Sequence, residues 1–414
     1  MDRAILHCDL NNFYASVECI KNPTYKGTPL IVAGNPKKRT GVVLAKNTIA
    51  KSYGVKTGDV IWKAKQLCPT LICVQPDFET YAKYSDAVKQ IYLKYTDFVE
   101  PFGIDECWLD ITSSQKLFGS AYKIAEKIKN EVKEKLGLTI SIGLSFSKMF
   151  AKLGSKLAGN DEINIITKAD YKEKVWNLPV EKLIYVGRRR LVQFKKMNIN
   201  TIGDLARADK ALMTTQYGVS GEYLIKIANG TEPDKVANFN NLKTIKSVGN
   251  GTTTIVDINT FEQAKQVIFY LSEMIAKRLR DKGFKSLCIH LSVKDNELSW
   301  VSHSKTFETP TNNAKEIACH SIELFNKTWD FSKQKNLIRA IRIACSSLVS
   351  DKENFQTNFF EDTTNKEKTL KTDNIIDKIK NKYGDKTIKR ALLLSASHIN
   401  CEASDDFFEE ENFE

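Results

Sequence analysis

The stretch that most constrains this chain is Pro101–Ile111, PFGIDECWLDI, where the adjacent carboxylates Asp105 and Glu106 stand between two short apolar runs. Successive side chains of a strand point to opposite faces, so neighbouring acids serve one site only at a tight turn or a strand end. Gly103 suits such a turn, and Trp108 resumes a buried strand pattern. Desolvating two acids is costly unless a cation lies on them. The alternative is a surface β-turn, where Gly and Asp are common.

A third acid near the N-terminus favours a buried site over the surface turn. Residues 4–8 form a short apolar strand that ends at Asp9, where this carboxylate and the backbone carbonyl of Leu10 can both face a cleft. Hard oxygen ligands from two strand ends suit a pair of Mg²⁺ ions. Two such ions can activate a hydroxyl and stabilise a leaving pyrophosphate. The sequence therefore predicts a catalytic metal site at Asp9, Asp105 and Glu106.

Three motifs then follow one another in a familiar order. They are CDLNNFYASVE from Cys8, GIDECWLD from Gly103, and SIGLSFSKMFAKLGSK from Ser141 to Lys156. Together they resemble the Y-family translesion DNA polymerases, and within them the bacterial DNA polymerase IV (DinB-like) group. The resemblance covers nearly the whole chain. It implies template-directed DNA synthesis past damaged bases, with low fidelity and no proofreading, by nucleotidyl transfer that uses two Mg²⁺ ions.

The resemblance also implies the fold class, an α+β multidomain protein shaped as a right-hand polymerase. Strands interleaved with helices predict an α/β palm, and the order β-α-β-β-α-β after residue 246 predicts a little finger with both helices on one face. The expected domains are a palm at 1–18 and 78–167, fingers at 19–77, a helix-hairpin-helix-like thumb at 168–235, a linker at 236–246, a little finger at 247–350 and a tail at 351–414.

The charge of the chain predicts a polyanionic partner. The net charge is +12, although the last thirteen residues hold seven acids and no Lys or Arg, so the body is more basic than the total. Nucleic acid is the first candidate, and the alternative is a solvated Lys-rich surface. No apolar run is long enough to span a bilayer, and Met1 begins no leader. We expect a cytoplasmic monomer, whose nine cysteines lack zinc-site spacing.

Two neighbouring aromatic residues are candidates for the sugar end of the nucleotide site. Tyr14 lies five residues after Asp9, where the family keeps a bulky aromatic under the sugar. Its ring would collide with a 2′-hydroxyl and so select deoxyribonucleotides by exclusion. Phe13 points to a different face and suits the core. The alternative for Tyr14 is an ordinary core aromatic on an amphipathic helix.

The predicted triphosphate contacts depart from the family pattern. Thr48 and Lys51 open a helix, and a helix N-terminus with a nearby Lys suits an anionic group. The family usually has a Tyr and an Arg at these two positions. It also has Lys-Pro near the end of the palm, where this chain has Gly159 and Asn160. Lys156 or Lys152 is expected to compensate, and weakened dNTP binding is the open alternative.

DNA contacts are predicted in the thumb and the little finger. The segment 183–197 resembles half of a helix-hairpin-helix, in which Gly187, Arg188 and Arg189 would hold a phosphate without reading sequence. The open face of the little-finger sheet would lie along a DNA groove. Its predicted phosphate contacts are Lys246, Ser247, Lys294 and Lys305.

The tail holds a short motif for a protein partner. Residues 356–360, QTNFF, resemble the bacterial sliding-clamp binding pentapeptide, which usually has Leu where Thr357 and Phe359 stand. Gln356, Phe359 and Phe360 are the predicted clamp contacts. The alternative is that the two aromatics fold back onto the little finger.

These observations predict a DNA-directed DNA polymerase whose partners are primer-template DNA, dNTPs and the replication sliding clamp. Two alternatives stay open at this point. A nucleotidyl cyclase uses a similar palm, although the basic helical segment and the C-terminal α/β domain count against it. A non-catalytic or weakly catalytic DNA-bound clamp partner is motivated by the altered triphosphate contacts.

Overall fold

The structure is a computed structural model that describes residues 3–35, 41–241, 245–353, 363–384 and 387–396. The chain divides into two compact units, residues 1–33 with 42–242 and residues 34–41 with 243–414. Each unit has hydrophobic core clusters of its own. Within the described ranges, no helix is both long enough and apolar enough to cross a membrane.

The first unit alternates strands and helices. In chain order they are β1 (Ile5–Leu10), α1 (Phe13–Lys21), β2 (Leu30–Ala33), β3 (Val43–Lys46), α2 (Thr48–Ser52), α3 (Ile61–Leu67), β4 (Ile72–Val74), α4 (Phe78–Tyr92), β5 (Val99–Pro101), β6 (Glu106–Asp110), α5 (Gln115–Phe118), α6 (Ala121–Leu136), β7 (Ile140–Ser145), α7 (Lys148–Leu157), β8 (Ile163–Ile166), α8 (Tyr171–Val175), α9 (Arg188–Lys196), α10 (Ile202–Ala206), α11 (Lys210–Tyr217) and α12 (Val219–Ala228).

The palm is a five-stranded sheet in the order β5-β6-β1-β7-β8, with β1 antiparallel to both β6 and β7. Side chains of β1 alternate between its two faces. Leu6 and Cys8 enter a core shared with α4 and α6, whereas Ile5 packs with Trp108 and Ala151 on the face that α7 covers. His7 and Asp9 lie on that second face, because they alternate with Leu6 and Cys8.

The close approach of α7 to the sheet depends on one glycine. A Cβ added to Gly143 of β7 would overlap the backbone carbonyl oxygen of Ala151 and crowd the backbone nitrogen of Ser155. Gly154 of α7 in turn lies against Gly143. The helix backbone therefore rests directly on the strand, which brings the side chains of α7 into the palm site.

The fingers form a small separate layer inside the first unit. Their three-stranded sheet has the order β3-β2-β4, and α2 and α3 pack on it around a core that includes Ile31, Val43 and Ala64. The helix that the sequence predicted at Thr48 and Lys51 is α2. The sequence did not predict β4, a three-residue strand that pairs in parallel with β2.

The helical segment after the palm packs around Phe194, Leu205 and Leu224. Thr201 and Asp204 form a reciprocal capping box at the start of α10. Residues that the sequence predicted as a linker are bonded to the palm. The backbone N–H of Ala237 donates to Glu100 at 2.8 Å, and Val236 is buried.

The second unit contains β9 (Ser247–Ile258), α13 (Phe261–Asp281), β10 (Phe284–Asp295), β11 (Trp300–Thr311), α14 (Ala314–Thr328), β12 (Ile338–Ser350) and α15 (Thr363–Tyr383). Its antiparallel sheet has the order β11-β10-β12-β9. Both α13 and α14 share a core with the inward side chains of the sheet, among them Leu291 and Ile343. The predicted β-α-β-β-α-β order and the placement of both helices on one face are confirmed.

The described residues after the little-finger strands pack against the helices of the same unit. Arg280 of α13 pairs with Asp377 at 2.7 Å and with Asp373 at 3.4 Å, and both aspartates of α15 are nearly buried. Leu393 and Ala396 join the little-finger core. The composition of this segment could not predict this packing, because Arg280 lies about a hundred residues earlier in the chain than the two aspartates.

Candidate active site at one end of the palm sheet

The predicted acids come together where β1 and β6 pair. Asp9 is directly opposite Glu106 in the antiparallel ladder. Asp105 immediately precedes β6, and its backbone carbonyl accepts the N–H of Leu10 at 3.0 Å. Gly103 has a φ of +79°, which glycine adopts readily, and it supplies the tight turn before the pair. The local geometry thus matches the turn that the sequence predicted.

The electrostatics of these acids indicate that a cation belongs among them. Burial, together with the negative charge of Asp105, raises the pKa of Asp9 to about 6. Burial also raises the pKa of Asp105. The positive charge of Lys152 opposes both shifts. Two like charges held in a partly desolvated site favour any ion that neutralises them.

The third acid is turned toward α7 instead of toward its neighbours. Glu106 Oε2 forms an ion pair with the Lys152 ammonium and lies 3.0 Å from His7 Nε2. Among the residues that the structure describes, no three His, Cys, Asp or Glu side chains are grouped closely enough to hold a metal ion. The donors are nonetheless all carboxylate oxygens, which suit a hard divalent cation.

His7, Lys152 and Ser155 are site residues for which the sequence assigned no role at the acids. Burial lowers the pKa of His7 well below its usual value, with the charge of Lys152 adding to the effect. Nε2 of the ring lies 3.0 Å from a carboxylate oxygen of Glu106, and Nδ1 shares a hydrogen bond of 2.7 Å with the hydroxyl of Ser155. Burial likewise lowers the pKa of Lys152 to about 8. The available signal was the two-residue spacing of His7 and Asp9, which places both on one strand face.

The two candidate sugar-site aromatics differ in burial but lie side by side, with ring centroids 5.6 Å apart, and both contact Tyr81. Phe13 is buried in the palm core. Tyr14 is half-buried and stacks on Tyr81 with ring centroids 4.3 Å apart and planes 15° apart. Burial raises the pKa of Tyr14 to about 12, and the charge of Asp105 contributes. The phenol therefore lies within the electrostatic reach of the acidic site.

The predicted triphosphate region is held by neutral groups. The hydroxyl of Thr48 accepts from the side-chain amides of Asn12 at 3.3 Å and Asn160 at 3.2 Å. These bonds join the first turn of α2 to the palm. Lys51 and Lys156 are exposed, near the ends of α2 and α7 respectively. The sequence did not predict the contact between Thr48 and the two amides.

In the thumb, the arginine run divides into two functions. Gly187 caps α9, and both Arg188 and Arg189 are exposed. Arg190 instead donates to the carbonyl of Tyr185 at 2.9 Å and to the hydroxyl of Ser220 at 3.1 Å. Arg190 therefore stabilises the hairpin, which leaves the first two arginines accessible to a ligand.

The predicted DNA contacts of the little finger do not share a face. Lys294 alternates with the buried Val293, and so it points to the side away from the helices. Lys305 lies on the opposite side, where it pairs with Glu323 of α14. The prediction that Lys305 contacts DNA from the open face is therefore wrong, because strand alternation places Lys305 on the helix side. Lys246 is exposed just before β9, and Ser247 is its first residue.

The open face also carries two residues that the sequence reading missed. His290 of β10 bonds Ser346 of β12 through Nε2 at 2.8 Å, and Arg342 of β12 is half-exposed. Gln356, Phe359 and Phe360, the predicted clamp contacts, lie outside the described residues.

An antiparallel palm with paired carboxylates, followed by a helical segment and a separate four-stranded α/β domain, defines a right-hand polymerase. The model of the impB/mucB/samB family matches residues 8–156, and that of the family's C-terminal domain matches residues 245–359. The DNA polymerase IV of Acetivibrio thermocellus is 40% identical over 400 residues, which cover 97% of this chain and 100% of the relative.

Two further comparisons agree with this one. The DNA polymerase IV of Moorella thermoacetica is 33% identical over 400 residues, covering 96% of this chain and 98% of the relative. A solved Y-family DNA polymerase chimera of Dbh and Dpo4 has the same fold, with a TM-score of 0.73, 23% identity, and coverage of 84% of this chain and 99% of its own. This chain belongs to the impB/mucB/samB family, the Y family of DNA polymerases.

Proposed function

We propose that this chain extends a DNA primer along a template, past damaged bases, by transferring a nucleotidyl group from a dNTP to the primer 3′-hydroxyl. The observation that carries the proposal is the pairing of Asp9 with Glu106 at the strand end that Asp105 adjoins. Similarity over nearly the full length of polymerase relatives supports a DNA-directed DNA polymerase and disfavours a nucleotidyl cyclase.

Family membership implies a divalent metal. We assign two Mg²⁺ ions to Asp9, Asp105, Glu106 and the backbone carbonyl of Leu10. When bound, such ions lower the pKa of the attacking hydroxyl and neutralise the leaving pyrophosphate. The chain's own contribution is to hold three carboxylates on a rigid strand pair, partly shielded from water, so that their charges act at full strength.

The nucleotide would lie between the acidic site and the fingers. Tyr14 would meet the 2′ position of the sugar, because its ring is fixed by stacking on Tyr81 and it reaches the field of Asp105. Phe13 supports this ring from the core side. Thr48, Lys51 and Lys156 would contact the triphosphate. Lys51 supplies charge without the bidentate fork of an arginine, which predicts weaker dNTP binding than the usual residues provide.

The DNA would be held through its phosphates. In the thumb, Gly187, Arg188 and Arg189 present an exposed helix start and two cations. In the little finger, Lys246, Ser247 and Lys294 are available to the backbone, whereas Lys305 is excluded by its pairing on the helix side. Such contacts position a duplex without reading its sequence, which suits an enzyme that copies any template.

We also assign a sliding-clamp contact to Gln356, Phe359 and Phe360. The support is their order and their place after the last strand of the little finger. A second attachment to a ring already on the DNA raises the effective concentration of the enzyme at the primer end.

Primer extension on a defined template tests the polymerase assignment. Asp105→Asn should abolish extension while primer-template binding persists, because the phosphate contacts lie elsewhere. Asp110→Asn is the matched control: it changes the other end of the same strand, where the side chain accepts from Thr112. Normal extension by Asp105→Asn, or equal loss in both variants, would refute the site.

A further inference from the structure

The side chain of Lys152 lies inside the acidic site instead of at its rim. It projects from α7, which rests on the palm sheet because Gly143 has no side chain. Only 4% of Lys152 is exposed. A lysine buried this completely requires compensating partners, and the palm supplies them.

Three groups surround the ammonium. It forms an ion pair with Glu106, lies 3.5 Å from His7 Nε2, and sits 4.3 Å from the centroid of the Phe102 ring. His7 approaches the same oxygen of Glu106 and is itself braced by Ser155. The carboxylate of Glu106 is thereby directed toward the helix.

This arrangement explains why the three acids are not grouped as metal ligands within the described residues. A carboxylate oxygen that already accepts from an ammonium and lies 3.0 Å from an imidazole nitrogen is not free to complete a site with Asp9 and Asp105. An ammonium at this position also repels an incoming divalent cation, and both effects act in a partly desolvated environment where charges interact strongly.

We propose that Lys152 is a built-in counter-ion of Glu106, which a divalent ion must displace from this carboxylate, so that this lysine sets the metal affinity of the enzyme. The proposal rests on the proposed function, because it takes the acids to be metal ligands. Lys152 acts through Glu106 and is a positioning residue.

The test measures the affinity of the full chain for Mn²⁺ without DNA or nucleotide. Electron paramagnetic resonance gives the concentration of free Mn²⁺ at each step of the titration. Lys152→Met removes the charge and keeps an apolar side chain of similar length. We expect it to bind Mn²⁺ at least about tenfold more tightly. Lys152→Arg keeps the charge and should bind Mn²⁺ as weakly as the unmodified chain.

Lys148→Met is the matched control. Like Lys152, Lys148 is a buried lysine of α7, and its ammonium lies 4.5 Å from the centroid of an aromatic ring, that of Trp108. It pairs with Glu100, which is outside the acidic site. Its replacement should leave Mn²⁺ affinity unchanged. Melting temperatures measured with and without Mn²⁺ account for any loss of stability in a variant. The rise in melting temperature on adding Mn²⁺ should be larger for Lys152→Met than for either the control or the unmodified chain.

The outcomes distinguish the role of Lys152 from the existence of the metal site. Unchanged or weaker Mn²⁺ binding by Lys152→Met, or equal tightening by Lys152→Arg, would overturn the role of the lysine alone. Absence of Mn²⁺ binding by the unmodified chain and by every variant would instead overturn the metal site on which the proposal rests.

Discussion

The palm sheet and the little-finger sheet are built alike on one face and differently on the other. Each packs two helices on an apolar face, α4 and α6 in the palm and α13 and α14 in the little finger. The second palm face is covered by α7 and encloses His7, Glu106 and Lys152. The second little-finger face has no such cover within that unit's described elements, and it carries Lys294, His290 and Arg342 among smaller polar residues.

The difference shows how burial divides the work between the two sheets. Covering the palm face removes water, so its charges interact strongly and their pKa values shift. Leaving the other face open keeps its cations hydrated, which suits contact with phosphates that are screened by salt. Changes in the palm should therefore alter packing and chemistry, and changes in the little finger should alter salt-dependent binding.

The largest expected effect is on packing in the palm. Gly143→Ala places a methyl group against the backbone of α7, which cannot yield as a side chain can. We expect a loss of about 3 kcal/mol in the free energy of unfolding, measured by urea denaturation. Gly251→Ala on the little finger is the comparison, because its methyl would meet only Arg342 side-chain atoms and a backbone oxygen, at 3.1 Å or more. Equal losses would show that the two faces are packed alike.

The next effect concerns the sugar. Tyr14→Ala should raise the incorporation of ribonucleotides relative to deoxyribonucleotides on the order of a hundredfold, since removing the ring removes the clash with the 2′-hydroxyl. The measurement is the ratio of kcat/KM for the two nucleotides in single-nucleotide primer extension. Tyr14→Phe keeps the ring and should retain the selectivity. An unchanged ratio in Tyr14→Ala would assign the residue to the core.

A smaller effect follows from the raised pKa of Asp9. A ligand must be deprotonated to bind metal, so Mn²⁺ affinity should fall up to about tenfold per pH unit below pH 6. It should rise again toward pH 8 as Lys152, whose pKa is about 8, loses its charge. In the metal-free protein, the free energy of unfolding should decrease as pH rises from about 4 to about 6, because folded Asp9 keeps a proton that the unfolded chain has released. Metal titrations from pH 5 to 8 check the first point, and a flat profile would contradict it.

The smallest effect is expected in the little finger. Lys294→Ala should weaken primer-template binding a few-fold and reduce the slope of log affinity against log salt by about 1. Fluorescence anisotropy over a salt series measures both. Lys305→Ala is the control from the opposite side of the same sheet, and its slope should not change. A change in Lys305→Ala without one in Lys294→Ala would reverse the assignment of the two faces.

The sequence by itself determined the elements and the residue types of the site. The apolar strand that ends at Asp9 predicted β1, and the apolar run that follows Glu106 predicted β6, because strand periodicity and the Gly103 turn are local properties. The order of strands and helices predicted the little finger for the same reason. Helical spacing predicted that Phe13 is the more buried of the two aromatics, which the structure confirms, although both rings contact Tyr81.

Only the tertiary structure decided which groups face one another across the chain. Lys152 and His7 are 145 residues apart in sequence, and nothing local to either brings them to Glu106. The side of the sheet on which Lys305 lies depends on the strand register. The packing of α15 depends on Arg280, which is far upstream in the chain. The packing of the core determines which residues are buried near one another. A charged side chain buried there is stable only if a partner of opposite charge or a hydrogen-bond partner lies nearby.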